Sequence, residues 1–364
     1  FNLIFGTPCF SYSINFDAMS RAFLNSVFRF QIWILGFMVA RLQIKFLSKL
    51  AIAMLLVPSF LACRSTANVS SNAESIRPMR VVTDDLDRKV TIPTNVTRVV
   101  SLAPNLTESI FAVGAGDRLV GVTTFCNYPE QANEIAKIGD TMNPNMESIV
   151  ALKPDIVFVS TASQIENFTK TLEANGIAVY VTNPTSLGDV YRTLMNLGEI
   201  LGTSDSAGLV SGGLRVRQID VLAKVFDWSP PMLKNDEDLD KNIREDIRKI
   251  RNPKGTPVFV QVSKEPLFTI GKQSFLIDLL WQAGGESVTK DVETAYPKLS
   301  KETASALNPE VIILSESPDN QAPNEAFKNS PAVKSGRIYK VNADLLSRPG
   351  PRLVDALEQI ARDL

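Results

Sequence analysis

Two stretches of the chain carry an unbroken run of apolar residues of the length of a strand. Residues 156–159 have the sequence IVFV and residues 311–314 have the sequence VIIL, with no polar residue inside either run. A strand that is apolar at every position is typical of the middle of a parallel sheet that helices cover on both faces. Both runs therefore predict central strands of parallel sheets.

The same spacing of residues precedes both apolar runs. It comprises Glu147, Leu152, Pro154 and Asp155 in the first copy and Glu302, Leu307, Pro309 and Glu310 in the second. Because proline disfavours a helical conformation in the residue before it, each copy predicts a short helix that ends just ahead of the strand. The duplication indicates two related α/β lobes, each of which presents one acidic residue at an equivalent helix start.

The first lobe alternates short apolar strands with helices. Residues 80–83 and 89–92 flank a turn and predict a β-hairpin. The other predicted elements are strands at 98–102, 119–123 and 178–182 and helices at 106–113 and 164–175. Such alternation is typical of a parallel sheet, whose ligand-binding loops gather at its C-terminal edge.

The middle of the chain is predicted to be helical. Apolar residues at helical spacing predict helices at 187–201 and 204–226, and the second half of the latter is expected to connect the lobes. Glycine in a helix costs roughly 1 kcal/mol relative to alanine. An irregular or closely packed first half is therefore expected around Gly208, Gly212 and Gly213. Residues 227–255 are highly charged and predict a solvated insertion.

The second lobe begins at about Thr256 and repeats the pattern of the first. Strands are predicted at 258–262 and 337–341, helices at 275–283 and 353–363, and loops at 266–271 and 344–352. The predicted fold class is α/β, with a central parallel sheet in each of two lobes. The lobes occupy 80–203 and 256–364, and the connecting helix and charged insertion occupy 204–255.

The N-terminal region predicts a leader outside the folded lobes, over residues 1–63. Basic residues at 41, 45 and 49 precede an apolar run at 50–62, and Cys63 and a Ser/Asn-rich stretch follow. This order resembles a bacterial lipoprotein signal, in which the cysteine is acylated and becomes the new N terminus. We therefore expect lipidation at Cys63, a flexible tether over 64–79 and an extracytoplasmic, membrane-anchored protein. Simple cleavage and a retained anchor are the alternatives.

Composition narrows the function classes. The 364 residues are 45% hydrophobic and 21% charged, which provides ample material for two globular cores. The formal net charge of −1 provides no basic field for nucleic acid. The chain has no histidine, which excludes histidine-based zinc sites and catalysis by an imidazole base. Its three cysteines are too few for a disulfide framework or a thiolate metal cluster, and Cys126 is expected to be a buried thiol.

Four segments carry a resemblance to a known family. They are RVVSLAPNLTESIFAVGAGDRLVGVTTFCNYP, NPNMESIVALKPDIVFVS, EPLFTIGKQSFLIDLLWQAGGES and ADLLSRPGPRLVDALE. Together they resemble the extracytoplasmic solute-binding proteins of iron-siderophore and vitamin B12 ABC importers, and are most similar to the cobalamin-binding branch. The resemblance covers about residues 80–364 except the insertion at 227–255. It implies the class III periplasmic-binding-protein fold, in which a single long helix joins two α/β lobes and the ligand lies in the cleft between them.

The resemblance also implies roles for particular residues. In this family one glutamate on each lobe docks into arginine pockets of the paired membrane subunits, and the matching positions are Glu147 and Glu302. Apart from the resemblance, both glutamates can equally be acids in the first turn of a helix. There the interaction of each carboxylate with the helix dipole stabilises the helix by ~0.3–1 kcal/mol. The positions that match ligand-binding loops are Pro104, Asn105, Phe125 and Tyr128 in the first lobe and Phe268, Tyr296, Asp344 and Arg348 in the second. Core packing of the aromatic rings and a structural Asp344–Arg348 ion pair are the alternatives.

These features predict a monomeric binding protein that captures cobalamin or a related corrinoid, without a cofactor or metal of its own, and delivers it to permease subunits. A corrin is a broad apolar disc with amide groups at its rim, which aromatic rings can cover and a few polar groups can satisfy. A ferric siderophore or haem is the alternative ligand. Anionic siderophores usually need several cationic contacts, whereas only Arg348 stands out at the matching positions, with Lys272 as a further candidate. An enzyme is disfavoured because the sequence lacks a nucleophile elbow, a phosphate-binding glycine loop and a metal-ligand cluster.

Overall fold

The computed structural model describes residues 77–161, 165–230, 239–250 and 255–364. The predicted leader, Cys63 and most of the predicted tether lie outside the described residues. Within the described part of the chain, every helix is too short or too polar to cross a bilayer.

The N-terminal lobe is built on a four-stranded parallel sheet. Its strands are β3 (Val99–Ser101), β4 (Leu119–Val122), β5 (Ile156–Ser160) and β6 (Ala178–Thr182), in the spatial order β4-β3-β5-β6. Every residue of β5 is buried, as expected for a strand covered on both faces. The predicted hairpin is confirmed as the antiparallel pair β1 (Met79–Thr83) and β2 (Lys89–Pro93).

Helices cover both faces of this sheet. They are α1 (Pro104–Ala112), α2 (Met146–Ala151), α3 (Ile165–Ala174) and α4 (Leu187–Leu201). Proline at the first position of α1 is pre-organised for a helix start. The side chains of Asn145 and Ser186 cap α2 and α4 by accepting hydrogen bonds from backbone N–H groups of the first turn.

The C-terminal lobe repeats the topology of the first. Its strands are β7 (Thr256–Gln261), β8 (Gly285–Ser287), β9 (Val311–Glu316) and β10 (Ile338–Asn342), in the order β8-β7-β9-β10, all parallel. Its helices are α7 (Phe275–Gln282), α8 (Lys301–Ala306), α9 (Pro331–Ser335), α10 (Ala343–Ser347) and α11 (Leu353–Asp363). The matching strand orders confirm the two related α/β lobes. Sequence reasoning missed β8, α9 and α10, which at five residues or fewer are too short to show a period.

A long helix, α5 (Ser204–Phe226), joins the lobes. It packs against α4 of the first lobe and α11 of the second. The Arg217 guanidinium of α5 donates to the Glu358 carboxylate of α11 at 2.8 Å. The prediction that the first half of this helix is irregular or closely packed is wrong. The helix is unbroken, and a Cβ would meet no atom within 4 Å at Gly208, Gly212 or Gly213.

The charged insertion contains a packed helix, α6 (Leu239–Ile250). Ile243 and Ile247 are buried in one cluster with Leu222 of α5 and with Trp228. Most of the described side chains of this helix are exposed, as predicted, but the prediction of a solvated insertion is wrong for Ile243 and Ile247. Its isoleucines recur at a spacing of four residues and form an apolar stripe, whereas Glu245 between them is exposed.

Candidate functional site

A cavity of about 1300 Å³ lies between the two lobes. Its wall is formed largely by loops at the carboxyl ends of the strands, the edge at which α/β sheets usually bind ligands. The N-terminal lobe contributes Ala103, Pro104, Asn105, Phe125, Thr141, Ser160, Thr161, Asn183, Pro184 and Thr185. The C-terminal lobe contributes Lys272, Gln273, Ser274, Phe275, Ile277, Asp278, Trp281, Ala295, Tyr296, Asp344, Ser347, Arg348 and Pro349. Arg244 and Arg248 of α6 also line the wall.

The structure brings six of the eight predicted ligand-binding residues into this wall. They are Pro104, Asn105, Phe125, Tyr296, Asp344 and Arg348. Tyr128 and Phe268 lie outside it. The Tyr128 ring lies under the Arg352 guanidinium, 4.1 Å from ring centroid to Cζ, and Phe268 makes short β-bridges to Ser263 and Lys298. Position in a loop does not reveal whether a side chain faces the cavity or its own lobe.

Two exposed aromatic side chains line the cavity, one from each lobe. Phe125 is 59% exposed and Tyr296 is 44% exposed. The Phe125 loop is held by a hydrogen bond from Thr124 N–H to the Gly139 carbonyl at 2.9 Å. Large apolar groups that stay exposed in a concave wall are typical of a ligand-binding surface.

Arg348 lines the cavity but its charge is already compensated. Its guanidinium forms ion pairs with Glu108 at 2.9 Å and with Asp344 at 2.7 Å. It also donates to the Asn127 side-chain oxygen at 2.8 Å. The Asp344–Arg348 pair corresponds to the structural alternative for these two residues. Arg348 therefore holds the loops of the two lobes together.

Glu108 and Arg352 were not predicted, yet they form the centre of this polar cluster. Glu108 lies on α1 and is 3% exposed. Its carboxylate accepts hydrogen bonds from Arg352 at 2.9 and 2.6 Å, in addition to the bond from Arg348. Hydrogen bonding to Glu108 raises the pKa of Arg352 above its usual value. The signal in the sequence is a glutamate among the apolar residues of α1, which does not identify its partners.

A second polar contact between the lobes centres on Asp278 of α7. Its carboxylate accepts a hydrogen bond from Leu187 N–H, at the start of α4, at 3.3 Å. It also forms an ion pair with Arg244 of α6 at 2.5 Å. Burial raises the pKa of Asp278, while the Arg244 charge opposes this rise. Elements of both lobes and of the insertion therefore meet at one carboxylate.

Basic side chains outnumber acidic ones in the cavity wall. The charged lining residues are Arg244, Arg248, Lys272, Arg348, Asp278 and Asp344. Lys272 pairs with Glu293 at 2.9 Å, and both side chains are exposed. Among the described residues, no acidic group forms an ion pair with Arg248. The insertion therefore adds positive charge that was not expected from the sequence.

The two glutamates of the repeat occupy equivalent places. Glu147 lies in the first turn of α2 and Glu302 in the first turn of α8, and both side chains are exposed. Asn145 and Ser300 cap the two helices from the same relative position. Hydrogen bonds from the backbone of Glu302 itself and from Ser300 hold the pKa of the Glu302 carboxyl below its usual value.

Cys126 is a buried thiol close to the wall. Its sulfur lies 3.1 Å from the hydroxyl oxygens of both Thr107 and Thr123. Across the parts of the chain that the structure describes, no group of three or more Cys, Asp or Glu side chains is placed to hold a metal ion.

The family described as periplasmic binding protein matches residues 99–208 and 216–345. An uncharacterised ABC transporter substrate-binding lipoprotein, YvrC of Bacillus subtilis strain 168, is 31% identical over 289 residues, which cover 78% of this chain and 84% of the relative. A vitamin B12-binding protein of Vibrio vulnificus strain YJ016 is 28% identical over 267 residues, covering 73% of this chain and 89% of the relative.

Solved structures share the two-lobed fold. The periplasmic vitamin B12 binding protein BtuF of Vibrio cholerae superposes with a TM-score of 0.60 at 25% identity, covering 74% of this chain and 97% of that one. The periplasmic heme-binding protein RhuT of Roseiflexus sp. RS-1 superposes with a TM-score of 0.59 at 22% identity, covering 74% of this chain and 98% of that one. At that identity the second likeness concerns the fold alone.

Proposed function

Because this chain belongs to the periplasmic binding protein family, we propose that its cleft captures cobalamin or a related corrinoid for import. The chain is the substrate-binding component of an ABC importer of the vitamin B12, siderophore and haem group. Its relatives and its fold are those of solute-binding proteins rather than enzymes.

The observation that carries the corrinoid proposal is the pair of exposed aromatic rings that line the cavity, one contributed by each lobe. Phe125 comes from the N-terminal lobe and Tyr296 from the C-terminal lobe. A corrin presents two broad apolar faces, so one ring from each lobe can cover it. The cavity of about 1300 Å³ exceeds the usual volume for drug-sized ligands, roughly 300–1000 Å³. Asn105, Asn183 and Gln273 in the wall offer amide partners for the rim of the disc.

A ferric siderophore or haem remains the second candidate, and the charge of the wall favours it. Arg244, Arg248 and Lys272 line the cavity, whereas the sequence had indicated few cations there. A carboxylate or hydroxamate ligand would bind such a surface through charge-assisted hydrogen bonds.

Glu147 and Glu302 are proposed to dock the protein onto the two permease subunits. Both are exposed, both are the second residue of a six-residue helix and both occupy the same place in the repeated motif. Two carboxylates on two lobes would fix the orientation of the docked protein, because charge complementarity sets specificity more than affinity.

Anchoring to the membrane through an acylated Cys63 belongs to the same proposal. Mass spectrometry of the protein from its native membrane would test it. The expected result is a lipid-modified N-terminal peptide that begins at Cys63, and an unmodified peptide would overturn the anchor.

Calorimetric titration tests the ligand. The purified protein would be titrated with cyanocobalamin, haem and a ferric hydroxamate. Micromolar or tighter binding of cyanocobalamin alone is the expected result. Heat with haem or the ferric hydroxamate, and none with cyanocobalamin, would reject the corrinoid and favour the second candidate.

A further inference from the structure

The inserted helix α6 is packed beside the cleft. Ile243 and Ile247 are buried against α5 and Trp228, so the helix has an apolar anchor. A second anchor is the ion pair between Arg244 and the carboxylate of Asp278 on α7. Side chains on a helix fixed in this way are positioned more precisely than side chains on a free loop.

Arg244 and Arg248 occupy the same face of α6. They are four residues apart, which places their side chains next to each other on a helix, and both line the cavity. Two like charges at this spacing repel each other, so an anion between them would be favoured. The buried stripe of Ile243 and Ile247 lies one position earlier in each turn. Arg244 reaches the Asp278 carboxylate, with its Cζ 6.0 Å from the centroid of the Trp281 ring, whereas Arg248 is exposed.

The charge of this pair is only partly compensated. Arg244 pairs with the Asp278 carboxylate, but a guanidinium has five N–H donors and one carboxylate does not use them all. Among the described residues Arg248 forms no ion pair, although its neighbour Lys249 pairs with Asp246 at 2.9 Å. The basic charge of Arg248 is thus available at the wall of the cavity.

We infer that Arg244 and Arg248 form an anion subsite at the α6 side of the cleft, which binds a phosphate or carboxylate group of the transported ligand. This inference rests on the proposed function, since it assigns part of the same cleft. Guanidinium groups bind both anions through paired, charge-assisted hydrogen bonds. On cobalamin the matching group is the phosphodiester of the nucleotide loop, and on haem it is a propionate.

Two corrinoids that differ in the anion test the subsite. Cobinamide has the same corrin ring as cobalamin but lacks the nucleotide loop and its phosphodiester. Full-length wild type, Arg248→Gln, Arg248→Lys and the control Lys249→Gln would each be titrated calorimetrically with both compounds. Lys249→Gln removes the adjacent positive charge from α6, and Lys249 does not line the cavity.

The expected result is a cobalamin affinity roughly tenfold lower for Arg248→Gln, as for the loss of a hydrogen bond between charged groups. Cobinamide should bind wild type and Arg248→Gln equally, Arg248→Lys should recover part of the affinity, and Lys249→Gln should match wild type. Unchanged cobalamin binding by Arg248→Gln would overturn the subsite. An equal loss for both corrinoids would also overturn it, because the effect would not depend on the anion.

A wild-type protein that binds neither corrinoid would reject the proposed ligand without deciding the subsite. The same variants would then be titrated with inorganic phosphate. Weaker phosphate binding by Arg248→Gln than by wild type and Lys249→Gln would support the subsite independently. Equal phosphate binding, or none, would overturn it.

Discussion

The Glu108 carboxylate binds the Arg352 guanidinium through two hydrogen bonds, at 2.9 and 2.6 Å, across the boundary between the two lobes. Glu108 is buried on α1, and Arg352 precedes α11. Arg348 adds a third contact to the same carboxylate at 2.9 Å. The lobes are therefore joined beside the cavity by an ionic cluster as well as by the long helix α5.

Replacing the central carboxylate should loosen this junction. Glu108→Gln leaves Arg348 and Arg352 without their shared counter-ion, and the loss of one partner from a buried ion pair typically costs about 3–5 kcal/mol. We expect a lower free energy of unfolding in urea and a larger radius of gyration by solution scattering. The control Glu358→Gln breaks the more exposed pair with Arg217 and should cost about 1 kcal/mol or less. Equal effects of the two variants would contradict a special role for Glu108.

Asp155 of the repeated motif should make stability depend on pH. Burial tends to raise its pKa, but hydrogen bonds from Thr97 and Arg98 outweigh this and hold the pKa below its ordinary value of 3.8. The folded state therefore favours the carboxylate. Its stabilisation is present above pH 3.8 and is lost as pH falls through the lower folded-state pKa.

Asp155→Asn should accordingly reduce the free energy of unfolding by roughly 2 kcal/mol at pH 7, and the difference from wild type should shrink below pH 3.8. Urea titrations at several pH values would measure this. Glu310→Gln, the change at the equivalent exposed position of the second copy, is the control and should have little effect. A difference for Asp155→Asn that does not vary with pH would show that the carboxylate charge is not the cause.

The proposed docking role of the repeated glutamates can be tested separately from ligand binding. Glu147→Ala combined with Glu302→Ala should leave ligand affinity intact, since neither residue lines the cavity. Transport in vesicles that carry the permease should be lost, because both orienting charges are gone. Glu134→Ala combined with Glu325→Ala removes one exposed acid from each lobe at unrelated positions and should transport normally. Normal uptake by the first double variant would reject docking through these residues.

Replacing Phe125 should affect ligand affinity, whereas replacing Phe268 should affect stability. Phe125 lines the cavity and is exposed, so Phe125→Ala should weaken ligand binding roughly tenfold and change the free energy of unfolding by no more than about 0.5 kcal/mol. Phe268 is half-buried and lies outside the wall, so Phe268→Ala removes buried apolar surface and should cost about 2 kcal/mol of stability while affinity stays nearly unchanged. Calorimetry and urea unfolding of both variants would measure the two effects. The reverse pattern would show that the assignment of the cavity wall is wrong.

The sequence by itself determined the two parallel sheets, the duplication and the edge of each sheet that lines the cavity. These features depend on local patterns: the apolar runs of β5 and β9, the prolines ahead of them and the capping residues of α2 and α8. Apolar periodicity reports which faces of an element are buried, so strands and helices longer than five residues were largely predictable.

Only the tertiary structure decided which side chains share the cleft. Glu108 meets Arg348 and Arg352 across separations of 240 and 244 residues, which no local pattern encodes. The spacing of Ile243 and Ile247 was present in the sequence, but it was overlooked because most of the residues around it are charged. The contribution of Arg244 and Arg248 to the cavity wall depends on where α6 packs. The buried face of a helix or strand is visible in the sequence as the spacing of its apolar residues. The pairing of charged groups that are distant in the chain depends on how the two folded lobes pack against each other.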